Sequence, residues 1–151
     1  MRPFLAEASK SAGADLVESL DKGRLGELDE RNSQIFTFAF SHGVAMAHRQ
    51  AGIAPAALAG YSLGIYAAVS VSGALAFSEC CGMVGLAFDI MKKHCKGEEF
   101  AMGAVVGLSH AETQQLCASG KYSSVCHTNT NSETCGVFSG KKDEIGMFFE
   151  D

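Results

Sequence analysis

Residues 60–68 read GYSLGIYAA, with Ser62 placed two positions from Gly60 on one side and two from Gly64 on the other. This is a G-x-S-x-G pattern, and the chemistry of an activated serine explains the spacing. A nucleophile held on a sharp strand-to-helix turn takes an unfavourable backbone conformation, in which neighbouring Cβ atoms clash; glycines two before and two after remove those atoms. The serine then stands at the start of a helix. Free N–H groups and the helix dipole there favour negative charge on an attacked carbonyl oxygen, and the N–H of Leu63 is the expected donor. The competing reading is a small-residue turn with no chemistry.

The flanks supply the required context. Residues 56–59 are short and apolar after Pro55 and read as a buried strand, Gly60 and Gly64 bound the elbow, and Leu63, Tyr66, Ala67, Ser70 and Val71 recur on one side of a helix stopped by Gly73. Upstream, residues 4–20 carry a helical period interrupted by Gly13, residues 21–31 read as a charged loop, and Asn32 or Ser33 is the expected cap of a helix over 34–50, with Gly52 just beyond. Downstream, Ser78 is the expected cap of a helix reaching Cys95, with Gly97 as terminator; Gly82 and Gly85 within it predict close approach of a neighbouring backbone. The last third changes texture. A strand over 101–108, a helix over 111–118 capped by Ser109, strands over 123–128 and 134–139 and a helix over 141–150 give a β-α-β-β-α order, most of a ferredoxin-like unit.

A chain of 151 residues with 47% hydrophobic and 19% charged residues has enough material for one compact domain with a core. A net charge of −5 without a basic cluster larger than Lys92, Lys93, His94 and Lys96 argues against nucleic-acid binding. No apolar run is long enough for a membrane span, and no apolar stretch follows Met1 as a signal peptide requires. The six cysteines form no C-x-x-C pair and read as reduced, mostly buried thiols of a cytoplasmic protein rather than as disulfides or metal ligands. A serine nucleophile also needs a base. His42 and His48 lie on the helix before the motif, His94 and His110 read as exposed helix-end residues, and His127 falls at the end of a strand; none stands out as a base.

The stretch AGYSLGIYAAVSVSGALAFSEC, residues 59–80, resembles the active-site segment of malonyl-CoA:acyl-carrier-protein transacylases and of the acyltransferase domains of polyketide and fatty-acid synthases. That family shows G-H-S-L-G-E, an alanine-rich helix, and an A-G-A-L/I turn into a further helix. Ser33-Gln34 falls at its T-Q-P-A helix start, AMGAVVGL (101–108) matches its M-A-A-V-x-G-L strand, and NTNSETCGVFSG (129–140) matches N-x-N-S-x-x-Q-x-V-I-S-G without a gap. The resemblance implies an α/β protein: a partial α/β-hydrolase-like core over 1–99 followed by an incomplete ferredoxin-like subdomain over 100–151. It also implies ping-pong acyl transfer from coenzyme A through a serine ester to the phosphopantetheine thiol of an acyl carrier protein, with no permanently bound cofactor and no metal. Ser62 becomes the nucleophile, the Leu63 N–H an oxyanion donor, and Tyr61 and Ala87 acyl-pocket positions.

Departures from the family pattern shape the expectation further. The family's G-Q-G-x-Q loop precedes the point where this chain starts, and its catalytic histidine lies in a segment after Asp151, so the chain is expected to be a fragment or one part of a split enzyme. Loss of a base and one oxyanion donor costs several powers of ten in rate, which predicts negligible turnover for the chain alone. A complementing chain or homodimer is the expected remedy. Tyr61 replaces the family's histidine, Ile65 its glutamate, and Ala87 the arginine that binds the malonyl carboxylate. A buried carboxylate without its bidentate cation is unfavourable, so a neutral acyl group is expected. An inactive scaffold that binds a synthase partner and a serine esterase are the alternatives.

Overall fold

The computed structural model describes residues 1–150. It forms two compact units, Met1–Lys93 and a second beginning at His94.

The first unit is helical. It contains α1 (Arg2–Ala12), α2 (Leu16–Asp21), a 3-10 turn (Leu25–Glu27), α3 (Glu30–Gln50), α4 (Gly64–Ser72) and α5 (Phe77–Cys95), whose last residues enter the second unit. Its core is Leu5, Ala8, Leu16, Ile35, Phe38, Ala39, Cys80, Cys81 and Val84. Three- and four-residue spacings within each helix place these side chains on one face. Gly13 takes a left-handed conformation (φ 68°) and splits the expected 4–20 helix in two. Asp15 then restarts the chain by accepting the Glu18 N–H at 2.8 Å.

Two caps differ from the sequence reading. Asp29, not Asn32 or Ser33, caps α3: its carboxylate accepts the Asn32 N–H at 2.8 Å, a charged acceptor at the positive end of the helix. At α5 the Glu79 carboxylate accepts the Ala76 N–H at 2.7 Å, so the helix starts at Phe77 and Ser78 lies within its first turn. Residues 56–59 form no strand and are exposed. A strand needs a ladder partner, and no described residue of this unit is in a strand.

The two glycines of α5 also diverge. A Cβ on Gly85 would lie 2.5 Å from the Arg31 guanidinium, whereas one on Gly82 would meet nothing within 4 Å. Arg31 crosses Gly85 while its Nε donates to Asp89 at 3.0 Å and its Nη1 to the Ser11 carbonyl at 3.1 Å. One guanidinium thus joins α1, α3 and α5.

The second unit contains β1 (Phe100–Val106), α6 (His110–Ala118), β2 (Cys126–Ser132), β3 (Cys135–Lys141) and α7 (Lys142–Glu150). The sheet order is β1-β3-β2, antiparallel throughout, with Ala101 opposite Gly140 and Val106 opposite Cys135. Val125, Phe138, Ile145 and Phe148 make its core. In β1 the half-buried positions are Ala101, Gly103 and Val105, and a Cβ on Gly103 would sit 2.5 Å from the Phe149 ring. β2 begins three residues later than the sequence suggests. The preceding polar groups are already engaged: Ser123 Oγ and Ser124 N–H donate to Glu144, and Ser124 Oγ accepts the Lys141 N–H. The protein is thus a mixed α/β chain, rich in helix, with one small sheet.

All six cysteines are free, but only Cys80 and Cys81 are buried; Cys95, Cys117 and Cys135 are partly covered and Cys126 is exposed. Burial pushes the Cys81 thiol up to about 12, which makes it a packing group rather than a nucleophile. Among the described residues no helix is long and apolar enough to cross a membrane.

Candidate functional site

Ser62 has φ 51°, one of two non-glycine residues with positive φ among the described residues. A side chain in this region costs about 1–3 kcal/mol and persists only where the surroundings enforce it. The enforcement is visible next door. A Cβ on Gly60 would lie 2.4 Å from Ile65 Cα and 2.5 Å from the Gly64 carbonyl oxygen, so the chain before Ser62 presses directly on the first turn of α4. Gly64 is different, since a Cβ there would meet nothing within 4 Å. Of the two glycines only Gly60 is demanded by internal contacts.

The first turn of α4 is tight. The N–H groups of Gly64, Ile65 and Tyr66 donate to the carbonyls of Tyr61, Ser62 and Leu63 at 2.8, 3.1 and 3.2 Å. These bonds use three of the donors at a helix start. No group of the 1–93 unit accepts a hydrogen bond from the Leu63 N–H or the Ser62 hydroxyl. The Leu63 side chain packs against the helical core and fixes the turn from below, while Ser62 is exposed above it. A hydroxyl and an uncommitted N–H on adjacent residues at a helix N-terminus can present a nucleophile beside a donor for negative charge.

Gly60, Ser62, Leu63 and Gly64 are brought into this single turn. Tyr61 belongs to the same turn through its carbonyl, with 60% of the residue exposed, whereas Ala87 is exposed on the outward side of α5. The two histidines of the first unit are engaged elsewhere. His42 is buried with its ring 4.7 Å from Phe4 and 4.8 Å from Phe77, and His48 Nδ1 lies 2.9 Å from the Val44 carbonyl. Burial, reinforced by the charge of Arg49, holds the His42 imidazole below its ordinary range.

The sequence reading missed one polar feature of the second unit. His127 lies near the start of β2, not the end of a strand, and its Nε2 is buried without a hydrogen-bond partner. Its ring stands 5.2 Å from those of His110 and Phe138, in a narrow recess that also touches Thr113 and Cys135. Gly136 makes the room: a Cβ there would meet Nε2 at 2.9 Å. His127 pairs across the strands with Phe138, and Gly136, two residues before that partner, leaves the space its ring occupies. Among the described residues no three His, Cys, Asp or Glu side chains are grouped closely enough to hold a metal ion.

No family model matches the sequence. Individual relatives do. The chain is 30% identical over 144 residues to the malonyl CoA-acyl carrier protein transacylase of Escherichia coli K12, covering 93% of this chain and 46% of that protein. It is 34% identical over 116 residues to the non-reducing polyketide synthase rdc1 of Metacordyceps chlamydosporia, covering 76% of this chain and 6% of the synthase. Among solved structures, a type II polyketide acyl-carrier protein in complex with its malonyl-transacylase matches with a TM-score of 0.86 and 26% identity, over 98% of this chain and 49% of that one. The chain therefore spans about half the length of the transacylases it matches.

The fold that carries the strained serine turn is similar over nearly the whole chain to solved acyl-carrier-protein transacylases. The chain belongs to the malonyl-CoA–acyl-carrier-protein transacylase family, which it represents over part of the length of those relatives.

Proposed function

We propose that this chain carries the nucleophile-bearing part of an acyl-CoA:acyl-carrier-protein S-acyltransferase. Ser62 Oγ attacks the thioester carbonyl of an acyl-coenzyme A, its proton passes to a base, and the Leu63 N–H holds the developing oxyanion. The C–S bond breaks, and coenzyme A leaves as the thiol after taking up that proton. The phosphopantetheine thiol of an acyl carrier protein then attacks the serine ester, and Ser62 recovers its proton as the acyl thioester forms. Tyr61 and Ala87 line the acyl site, and with alanine at position 87 the favoured group is a neutral acyl chain rather than malonyl. No permanently bound cofactor or metal takes part.

The observation that carries this reading is the positive φ of Ser62 locked by Gly60. A structural turn of small residues has no need to place a serine in a conformation that costs energy. The carrier-protein complex of the matched transacylase supports the choice of acceptor. Residues 1–99 fit a partial α/β-hydrolase-like core. The β1-β3-β2 order, with α6 after β1 and α7 after β3, fits an incomplete ferredoxin-like subdomain over 100–151. Free cysteines fit a cytoplasmic setting. The engagement of His42 in an aromatic cluster and of His48 with its own helix favours a base from outside residues 1–93. Without that base the segment is an inactive module able to bind a synthase partner.

The test is intact-mass spectrometry after incubation with acetyl-, hexanoyl- and malonyl-coenzyme A. Slow acylation confined to Ser62, lost in Ser62→Ala, and no faster with malonyl than with the neutral chains, is expected. Acylation elsewhere, or a clear malonyl preference, contradicts the corresponding part of the reading. Ester hydrolysis that ignores the carrier protein would favour an esterase.

A further inference from the structure

We propose that His110 and His127 form a two-imidazole site that takes up an exchangeable divalent transition-metal ion of the zinc, nickel or copper kind. The site is made within the second unit, where His110 opens α6 and His127 lies near the start of β2. The anomaly that points to it is His127 Nε2, which is buried and has no hydrogen-bond partner. Buried polar atoms are ordinarily paired, so an unpaired one calls for an explanation. Thr113 touches the same recess but has no proton to offer, because its hydroxyl donates to the His110 carbonyl at 2.9 Å. Gly136 leaves the nitrogen uncovered from the side of β3, since a Cβ there would stand 2.9 Å from it. A ring nitrogen with no donor beside it keeps its lone pair, and metal ions bind neutral imidazole through that lone pair.

The second ring stands where a second ligand belongs. The His110 and His127 ring centres are 5.2 Å apart, with their planes inclined by 56°. An ion held at about 2.0–2.1 Å by one nitrogen of each ring lies about 3.2 Å from each ring centre, and a tetrahedral angle between the two bonds then sets the centres about 5.2 Å apart. His110 is exposed, so its ring can turn a nitrogen toward that ion. The surroundings suit a cation. Glu133 and Cys135 also touch the recess, and no lysine or arginine does. The start of α6 opposes positive charge, but Glu112 in its first turn offsets that. A hydrogen bond between the His127 backbone and the Cys117 thiol ties β2 to α6, so helix and strand are in place before any ion arrives. With two protein donors rather than three, water fills the remaining positions and the ion exchanges. Imidazole donors select zinc, nickel or copper over magnesium or calcium.

Calorimetric titration of the untagged full chain with Ni²⁺ alone should show a single ion bound per chain, and titration with Mg²⁺ none. His110→Ala and His127→Phe should each weaken Ni²⁺ binding at least about tenfold, because even outer-shell partners of metal ligands are worth that much. His110 is exposed, so its variant should keep the wild-type thermal midpoint. Should His127→Phe fail to fold, ring-nitrogen NMR of the wild type decides. Zn²⁺ should shift the signals of His127 Nε2 and of one His110 nitrogen, and leave those of His42, His48 and His94 in place. Absence of Ni²⁺ binding, equal binding of Mg²⁺, binding undiminished in either variant, or a Zn²⁺ shift that misses His127 overturns the proposal. A Ser62→Ala chain should bind Ni²⁺ as the wild type does, which keeps this outcome separate from the acyl-transfer reading.

Discussion

Two serines stand at helix starts in this chain, and they are used in opposite ways. Ser109 has an ordinary extended backbone (φ −67°), and its Oγ and N–H both engage Glu112, at 2.6 and 2.8 Å, in a complete capping box. The hydrogen bonds from the Ser109 side chain and backbone hold the Glu112 carboxyl below its usual range. Ser62 has a left-handed backbone, and no group of its own unit binds its hydroxyl. The first serine spends its hydrogen-bonding capacity on the helix it opens. The second costs its helix energy and keeps its hydroxyl outward. Residue type alone cannot separate them; the glutamate three residues on and the glycine two residues back can.

The contrast can be broken most forcefully at Gly60. Gly60→Ala drives a Cβ into the backbone of Ile65, and we expect a loss of about 3 kcal/mol in chemical denaturation. Gly64→Ala meets open space and should change stability little. If both alanines behave alike, the elbow is not enforced by contact. Ser109→Ala comes next, with an expected loss of about 1 kcal/mol from the missing cap. Ser62→Gly should act in the other direction. Relief of the left-handed strain, partly offset by a floppier unfolded chain, should leave a net gain of about 0.5 kcal/mol, while Ser62→Ala, which keeps the strain, shows none.

The smallest effect concerns the neutral imidazole in the core. His42 has its folded-state value below the ordinary 6.5, burial being the larger cause and Arg49 the lesser. The folded protein therefore binds fewer protons than the unfolded chain as pH falls. The contribution of His42 to stability is complete above about pH 6.5 and declines below it, toward the depressed folded value. Denaturant midpoints at pH 7.5 and 5.5 should show that fall in the wild type and a smaller one in His42→Phe. Equal slopes would remove His42 from the account.

Much of this architecture could be read from the residues because it depends on local chemistry. Gly13, Gly73 and Gly97 end or split helices with φ of 68°, 82° and 81°, as glycines after apolar periods should. The β-α-β-β-α order and the Ser109 cap came from period and spacing alone. What could not be read depended on partners. Residues 56–59 are apolar enough for a buried strand, but composition cannot say whether a neighbouring strand exists to complete the ladder. α3 and α5 open upstream of the residues expected to cap them, because Asp29 accepts the Asn32 N–H and Glu79 the Ala76 N–H and so engage the chain before those residues are reached. Gly82 and Gly85 look alike in sequence, and only tertiary packing puts Arg31 over one of them. At the site, G-x-S-x-G located the turn, but not that one glycine is indispensable and the other free.

The Arg31 clasp has a consequence in time rather than in shape. Because one guanidinium holds the Ser11 carbonyl on α1 and the Asp89 carboxylate on α5 while lying over Gly85, none of the three helices can peel away without releasing it. Their innermost amides should exchange with deuterium as one cooperative group, sharing a single opening rate. A lysine, with one compact charge, cannot reach both acceptors, and Arg31→Lys would let α1 exchange ahead of the other two.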